Sequence, residues 1–185
     1  MKKLSEDPNE EAISFLVFQA KGGDKDAIRR LYNIFYLPMK RYALLKTKNV
    51  MIAEDVVQNV WVKIEKRLRR LNNNYLFKSW LFRALHWEII DCAKRIHEKR
   101  IEHKDIADEQ AAARNLEVSS IVSLVTSLPE NEMEVTVLHY INGLSVAETA
   151  LTICLPEGTV KSRLSRARTL MREALSTNSI NHEGE

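Results

Sequence analysis

Glycine and proline are scarce in this chain, at 5 and 4 of 185 residues. No stretch alternates apolar and polar residues in the way a half-buried strand does. The two absences together argue against a β fold and for an all-α one. Cysteine is scarcer still. Cys92 and Cys154 lie far apart, with no Cys-x-x-Cys or Cys/His spacing, so neither a disulfide framework nor a zinc site is expected. No apolar run reaches the length of a membrane span, so no membrane insertion is expected. The opening MKKLSEDPNEEAISF turns acidic before any apolar run, which predicts no secretory leader and a cytoplasmic location. The net charge of +3 is too small to announce a nucleic-acid partner, so the arrangement of charge must carry that argument.

Catalytic chemistry is missing as well. The chain has no glycine-rich phosphate loop, no nucleophile elbow and no Cys/His cluster. His97-Glu98 begins like a zinc-protease motif, but the next histidine, His103, falls six residues on rather than four. Ligands at that spacing do not share a helix face. The sequence therefore predicts no enzyme, no metal and no cofactor.

What is present is a series of helical patterns. Hydrophobic residues at 45% and charged ones at 29% suit a globular chain. Ser5 or Asp7 is expected to cap a first helix with Ile13, Leu16, Val17 and Ala20 on one face, ended by Gly22-Gly23. Asp24 is expected to cap a second, with Ile28, Leu31, Tyr32 and Phe35 inward, and Pro38 to break and restart it. A third, over about 52–71, buries Val57, Val60, Trp61, Ile64 and Leu68 and ends in the basic run Lys66, Arg67, Arg69, Arg70. Asn72, Asn73 and Asn74 break the pattern, since asparagine favours turns. The fourth helix, about 76–96, is rich in rings. Trp80 and Trp87 are assigned to packing. Tyr75 and Phe77, at the mouth of the asparagine loop, are the candidates for stacking an unpaired base. Residues 97–120 read as a polar, flexible linker, which divides the chain into a domain over 1–96, a second over 121–176 and a tail over 177–185. In the second domain Ser127 is expected to cap a helix with Glu130 reaching back, and Met133, Val137, Leu138 and Ile141 to face inward.

The most informative stretch is 143–175. Ser145 and Glu148 form a capping box opening a short helix with Ala147, Ala150 and Leu151 inward. After Pro156 a longer helix begins, with Val160, Leu164, Ala167, Leu170 and Met171 at helical spacing. Lys161, Arg163, Arg166, Arg168 and Arg172 occupy its outer face. Such a pair has the shape of a helix-turn-helix DNA reader. The same pattern also fits a solvated basic helix closing a bundle.

Two groups of residues then carry a resemblance. GDKDAIRRLYNIFY, AEDVVQNVWVKI and FKSWLFRALHWEIIDCAKR, followed after the linker by SLPENEMEVTVLHYINGLSVAETALTICLPEGTVKSRLSRARTLMREAL, resemble the bacterial RNA polymerase sigma factors of the extracytoplasmic-function group. The resemblance spans most of the chain, in family order. It implies two small helical domains: domain 2, for core binding and −10 recognition and melting, and domain 4, for −35 recognition. It also implies a non-enzymatic subunit that binds core RNA polymerase through the clamp coiled coil and the flap, directs it to promoter DNA, and is held by an anti-sigma factor wedged between the domains.

Residue by residue, the resemblance places Asp55 and Gln58 at core-binding positions. Asn59 stands where the family often has glutamate, a lost charge worth about 0.5–1 kcal/mol if exposed. It places Asn72, Asn73, Asn74 and Tyr75, with Phe77, at the loop that receives a flipped −10 base, where the family commonly has glycine and an acidic or serine residue. It places Lys161, Ser162, Ser165 and Arg166, with Arg163 and Arg168 nearby, at −35 contacts, and Thr159 at a phosphate held by its hydroxyl and backbone amide. Cys154 stands where the family's turn usually has glycine. Two other readings remain open. A stand-alone helix-turn-helix regulator would leave the aromatic first domain without a task, and a helical partner-binding scaffold would have lost promoter recognition.

Overall fold

In the computed structural model, which describes residues 8–103 and 120–180, every regular element among the described residues is helical. The chain divides into two compact units, Met1–Ala113 and Arg114–Glu185. Residues 5 and 7, offered as caps, and most of the proposed linker lie outside the described residues.

The first unit packs four helices: α1 (Pro8–Lys21), α2 (Lys25–Thr47), α3 (Val50–Arg67) and α4 (Phe77–His103). Asp24 caps α2 as its sequence position predicts, its carboxylate accepting from the amides of Asp26 at 2.8 Å and Ala27 at 3.1 Å. Asn49 does the same for α3, accepting from Ile52 N–H at 3.1 Å. Pro38 does not restart α2; the helix runs through it. A mid-helix proline costs roughly 3 kcal/mol. The stripe Leu31, Phe35, Met39 and Tyr42 continues at helical spacing on both sides of it and is buried. Each such side chain contributes about 1.5–3 kcal/mol, so burial outweighs the break. The carbonyl that loses its partner belongs to Ile34, an exposed residue. Lys40 ties α2 to α3 through Glu54, and that hydrogen bond holds the ammonium above its ordinary pKa. α4 continues past Ile96 to His103, seven residues into the stretch read as linker. Against α3, buried Glu88 of α4 is held by Lys63 and, within α4, by Arg95 Nη2 at 3.2 Å.

The second unit holds α5 (Ser120–Thr126), α6 (Glu130–Thr136), α7 (Val146–Ile153) and α8 (Glu157–Ile180). The cap expected from Ser127 is not made. Its amide closes the turn after α5 on Ser123 O, and its hydroxyl donates back to Leu124 O at 2.8 Å, so Pro129 occupies the N-cap of α6 with no side-chain cap bond. Met133, Val137 and Leu138 are buried as expected, but Ile141 is half exposed. The cause is a π-helical turn over Val137–Ile141, closed by Asn142 N–H on Val137 O at 2.9 Å. One extra residue in the turn rotates the residues after it, and Leu144 takes the buried place instead.

The Ser145–Glu148 capping box is present, with Ser145 N–H on Glu148 Oε2 at 2.8 Å and Glu148 N–H on Ser145 Oγ at 3.2 Å. The inward face of α7 is Thr149, Ala150, Thr152 and Ile153; Leu151 points out. Cys154 closes α7 at φ 56°, ψ 43°, its N–H on Ala150 O. A side chain in this left-handed region costs roughly 1–2 kcal/mol. Glycine would relieve that while adding about 0.5–1 kcal/mol of unfolded-state freedom. Cys154→Gly is therefore expected to raise the stability of the second unit by about 0.5–1 kcal/mol, read as a small rise in thermal midpoint. A fall would show that the exposed thiol side chain contributes packing that the geometry does not reveal.

Candidate nucleic-acid interface

Three surfaces gather the residues singled out in the sequence. The first lies on α3. Val56, Val57, Val60 and Ile64 are buried against the rest of the unit, which turns Asp55, Gln58 and Asn59 outward. Met51, 76% exposed, and Val62, 55% exposed, continue the same side at i, i+4, i+7, i+11 spacing. The polar trio is thus flanked by apolar groups that the fold leaves uncovered. Beside Val62 a cavity of about 340 Å³ is lined by Tyr32, Trp61, Glu65, Lys25 and Arg29. Trp61 Nε1 is buried with no hydrogen-bond partner among the described residues, and burial followed by the neighbouring Tyr36 pushes the Tyr32 hydroxyl above its ordinary pKa.

The second surface is the loop between α3 and α4. It begins with a 3-10 turn, Leu68–Arg70, which presents Arg69 and Arg70 to solvent, and ends with another, Asn74–Leu76. Asn72, Asn73 and Tyr75 are exposed. The Asn73 side-chain carbonyl caps the second turn, accepting from Tyr75 N–H at 3.0 Å. Asn74 is half-buried against α1, with both ends of its amide engaged: Oδ1 accepts from Lys21 Nζ at 3.1 Å, and Nδ2 donates to Ser14 O at 3.4 Å.

Two aromatic assignments are reversed. Phe77 has 0% exposure and packs edge-on against Phe35 at 5.6 Å, so it belongs to the core rather than to the exposed surface. Trp87, assigned to packing, is 43% exposed. The buried side of α4 runs Phe77, Leu81, Leu85, Ile89. Trp80, Arg83 and Trp87, at i, i+3 and i+7, share the side away from it, with Trp80 half-buried and Arg83 exposed. The periodicity of the arginine and the two tryptophans held this signal, but the many apolar residues of α4 masked it.

The third surface is α8. Val160, Leu164 and Ala167 are buried, and Lys161, Ser162, Ser165, Arg166 and Arg168 stand exposed, with Arg163 half-buried. The Thr159 amide is already committed, donating to Pro156 O at 3.0 Å, so the phosphate grip proposed for it is reduced to its hydroxyl. The Ser162 hydroxyl donates back to Thr159 O at 2.9 Å. Arg166 reaches Glu132 of α6, Nε to Oε1 3.6 Å. Glu132 is buried and was not singled out in the sequence; it pairs with the Nε edge of the guanidinium while most of the arginine side chain remains exposed. No group of three His, Cys, Asp or Glu able to hold a metal occurs among the described residues, and no described helix is long and apolar enough to cross a membrane.

Comparison with known proteins gives two family matches: Sigma-70 region 2 over residues 31–99 and Sigma-70, region 4 over residues 119–171. The chain is 27% identical over 186 residues to the ECF RNA polymerase sigma factor SigW of Bacillus subtilis, covering 90% of this chain and 98% of that one. It is 25% identical over 167 residues to SigM of the same organism, covering 84% and 99%. Among solved structures it is similar to CnrH in complex with the cytosolic domain of CnrY, at TM-score 0.62 and 24% identity over 90% of this chain and 98% of that one. It is also similar to the sigma factor RpoE in complex with the anti-sigma factor NepR from Bartonella quintana, at TM-score 0.61 and 22% identity over 80% and 96%. At these identities the structural likeness concerns the fold.

Proposed function

The chain belongs to the sigma-70 family, in its extracytoplasmic-function group, and from that premise we propose how its residues divide the work of a factor that binds core RNA polymerase and directs promoter-specific initiation. The α3 face of Asp55, Gln58 and Asn59, edged by Met51 and Val62, takes the polymerase clamp. Exposed apolar groups around a carboxylate that has no ion pair among the described residues suit a protein partner with a basic, partly apolar surface better than they suit DNA. The loop of Asn72, Asn73 and Tyr75 takes a flipped −10 base, and the Trp80–Arg83–Trp87 side of α4 offers rings and a cation to the opened strand. The outer side of α8 enters the −35 major groove with Lys161, Ser162, Ser165, Arg166 and Arg168.

The observation that carries this reading is the one-sidedness of α8 and α3. Each has a buried apolar stripe and an opposite face of exposed polar groups, on which Asp55, Gln58 and Asn59 of α3 and Lys161 and Arg168 of α8 have no ion pair among the described residues. A stand-alone helix-turn-helix regulator would leave the region 2 match and the α3 face without a purpose. The domain assignment places 1–96 as the −10 and core-binding part and 121–176 as the −35 part, with α4 extending the first beyond its sequence boundary. A cytoplasmic location and an anti-sigma partner belong to the same proposal. The partner is suggested by the NepR complex of a distant relative.

Reconstitution with purified bacterial core polymerase tests it. The chain is expected to co-elute with core and support initiation from a genomic promoter library; failure of both overturns the reading. Arg166→Ala should lower −35-dependent initiation about tenfold or more, the worth of one good arginine contact. Core binding should stay intact. Because the substitution also releases buried Glu132, the thermal midpoint must be followed. A parallel fall in midpoint, core binding and initiation would indicate unfolding rather than lost DNA contact.

A further inference from the structure

Lys21 is the last residue of α1, just before the Gly22-Gly23 turn. Its ammonium makes no ion pair with a carboxylate among the described residues. It donates to Leu71 O at 2.7 Å and to Asn74 Oδ1 at 3.1 Å, bridging the two ends of the loop between α3 and α4 across fifty residues of sequence. Asn74 completes the clamp by donating to Ser14 O, further back along α1. Hydrogen bonds from an ammonium are stronger than those between neutral groups, and with the Asn74 amide they fix both the start and the end of a four-residue loop. The Asn73 carbonyl is drawn into the local turn by Tyr75 N–H. Asn72 and Tyr75 are exposed, as is Asn73 itself, and no side-chain hydrogen bond of Asn72 or Tyr75 occurs among the described residues.

We infer that α1, acting through Lys21 and Asn74, sets the shape of the −10 reading loop, and that Asn72 and Tyr75, rather than Asn74, determine which base is accepted. The inference rests on the −10 role proposed above for this loop. An amide that reads a base edge must present its donor and acceptor together at a fixed position. Asn74 cannot do so while both its ends serve α1, whereas Asn72 can if the loop beneath it does not shift. Lys21 and Asn74 are thus positioning residues. The cost of flipping a base is met only when the stacking ring and the amide already stand in place, so a loosened loop loses discrimination before it loses affinity.

The test uses the full chain with core polymerase on a promoter library randomised through the −10 element, reading relative use of each base. Relative use does not depend on how much of the protein is folded. Asn72→Ala should lower discrimination at one −10 position about tenfold. Lys21→Met should lower discrimination at that same position several-fold, Lys21→Arg should retain most of it, and core co-elution should be unchanged in all three. If Lys21→Met reduces total initiation and leaves the base profile as it was, Lys21 only stabilises the fold and the inference is overturned. If Asn72→Ala and Tyr75→Ala both leave the profile unchanged, the loop does not read the −10 element and the underlying assignment fails instead.

Discussion

Phe77→Ala is expected to destabilise the first unit by about 3–5 kcal/mol, the cost of emptying a phenylalanine-sized site in a packed core. The side chain has 0% exposure, meets the Phe35 ring edge-on at 5.6 Å and lies 6.3 Å from the Trp80 ring. It also begins α4, its amide closing the turn on Asn74 O, so the cavity opens where the loop between α3 and α4 joins the bundle. A domain of this size is stable by only about 5–15 kcal/mol, so the loss removes a large part of the total. Urea unfolding followed by circular dichroism measures it. Phe77→Leu, closer in volume, should cost markedly less. A residue that stacked a melted base would behave in the opposite way, with its alanine variant unfolding like the parent and failing only in open-complex formation. An unfolding curve unchanged by the substitution would restore Phe77 to the DNA surface.

The Phe77 and Trp87 exchange shows where sequence reasoning stops. Helix identity, order and most termini were readable, because capping residues such as Asp24 and Ser145 act on their own neighbours. The left-handed turn at Cys154 was marked only by the resemblance, through the glycine that the family usually has there, and the chain keeps that conformation with a side chain in place. Exposure was not readable where both sides of a helix carry large apolar groups. On α4 the choice between Phe77 and Trp87 as the outward ring depends on which side meets Phe35 of α2, a residue far away in sequence. Pro38 misled because its local penalty was weighed without the burial on either side of it. Ile141 misled because a π turn has no sequence signature comparable to a cap. Which side of α8 faces outward was readable, since its outer face is a matter of local periodicity. The role of Asn74 and the pairing of Arg166 with Glu132 were not, since both partners lie on other helices.

Asp55→Lys is the prediction with the largest expected effect on function. Asp55 is exposed on α3 and has no ion pair among the described residues, whereas Glu54 beside it is held by Lys40. The fold thus uses one of the two adjacent carboxylates and leaves the other free. Reversing an exposed, unpaired charge changes folding stability by about 0.5 kcal/mol or less, so the thermal midpoint should barely move. At an interface with a basic surface the same change removes an attraction and adds a repulsion. Losing one partner of a buried charge pair costs about 2–5 kcal/mol, a fall in affinity for core polymerase of about thirtyfold or more. The loss should deepen as salt is lowered, because repulsion is then less screened. Co-elution and fluorescence anisotropy with labelled full chain measure both. Core affinity equal to that of the parent at every salt concentration would remove α3 from the polymerase interface. It would also leave Met51 and Val62 exposed with no partner assigned to them.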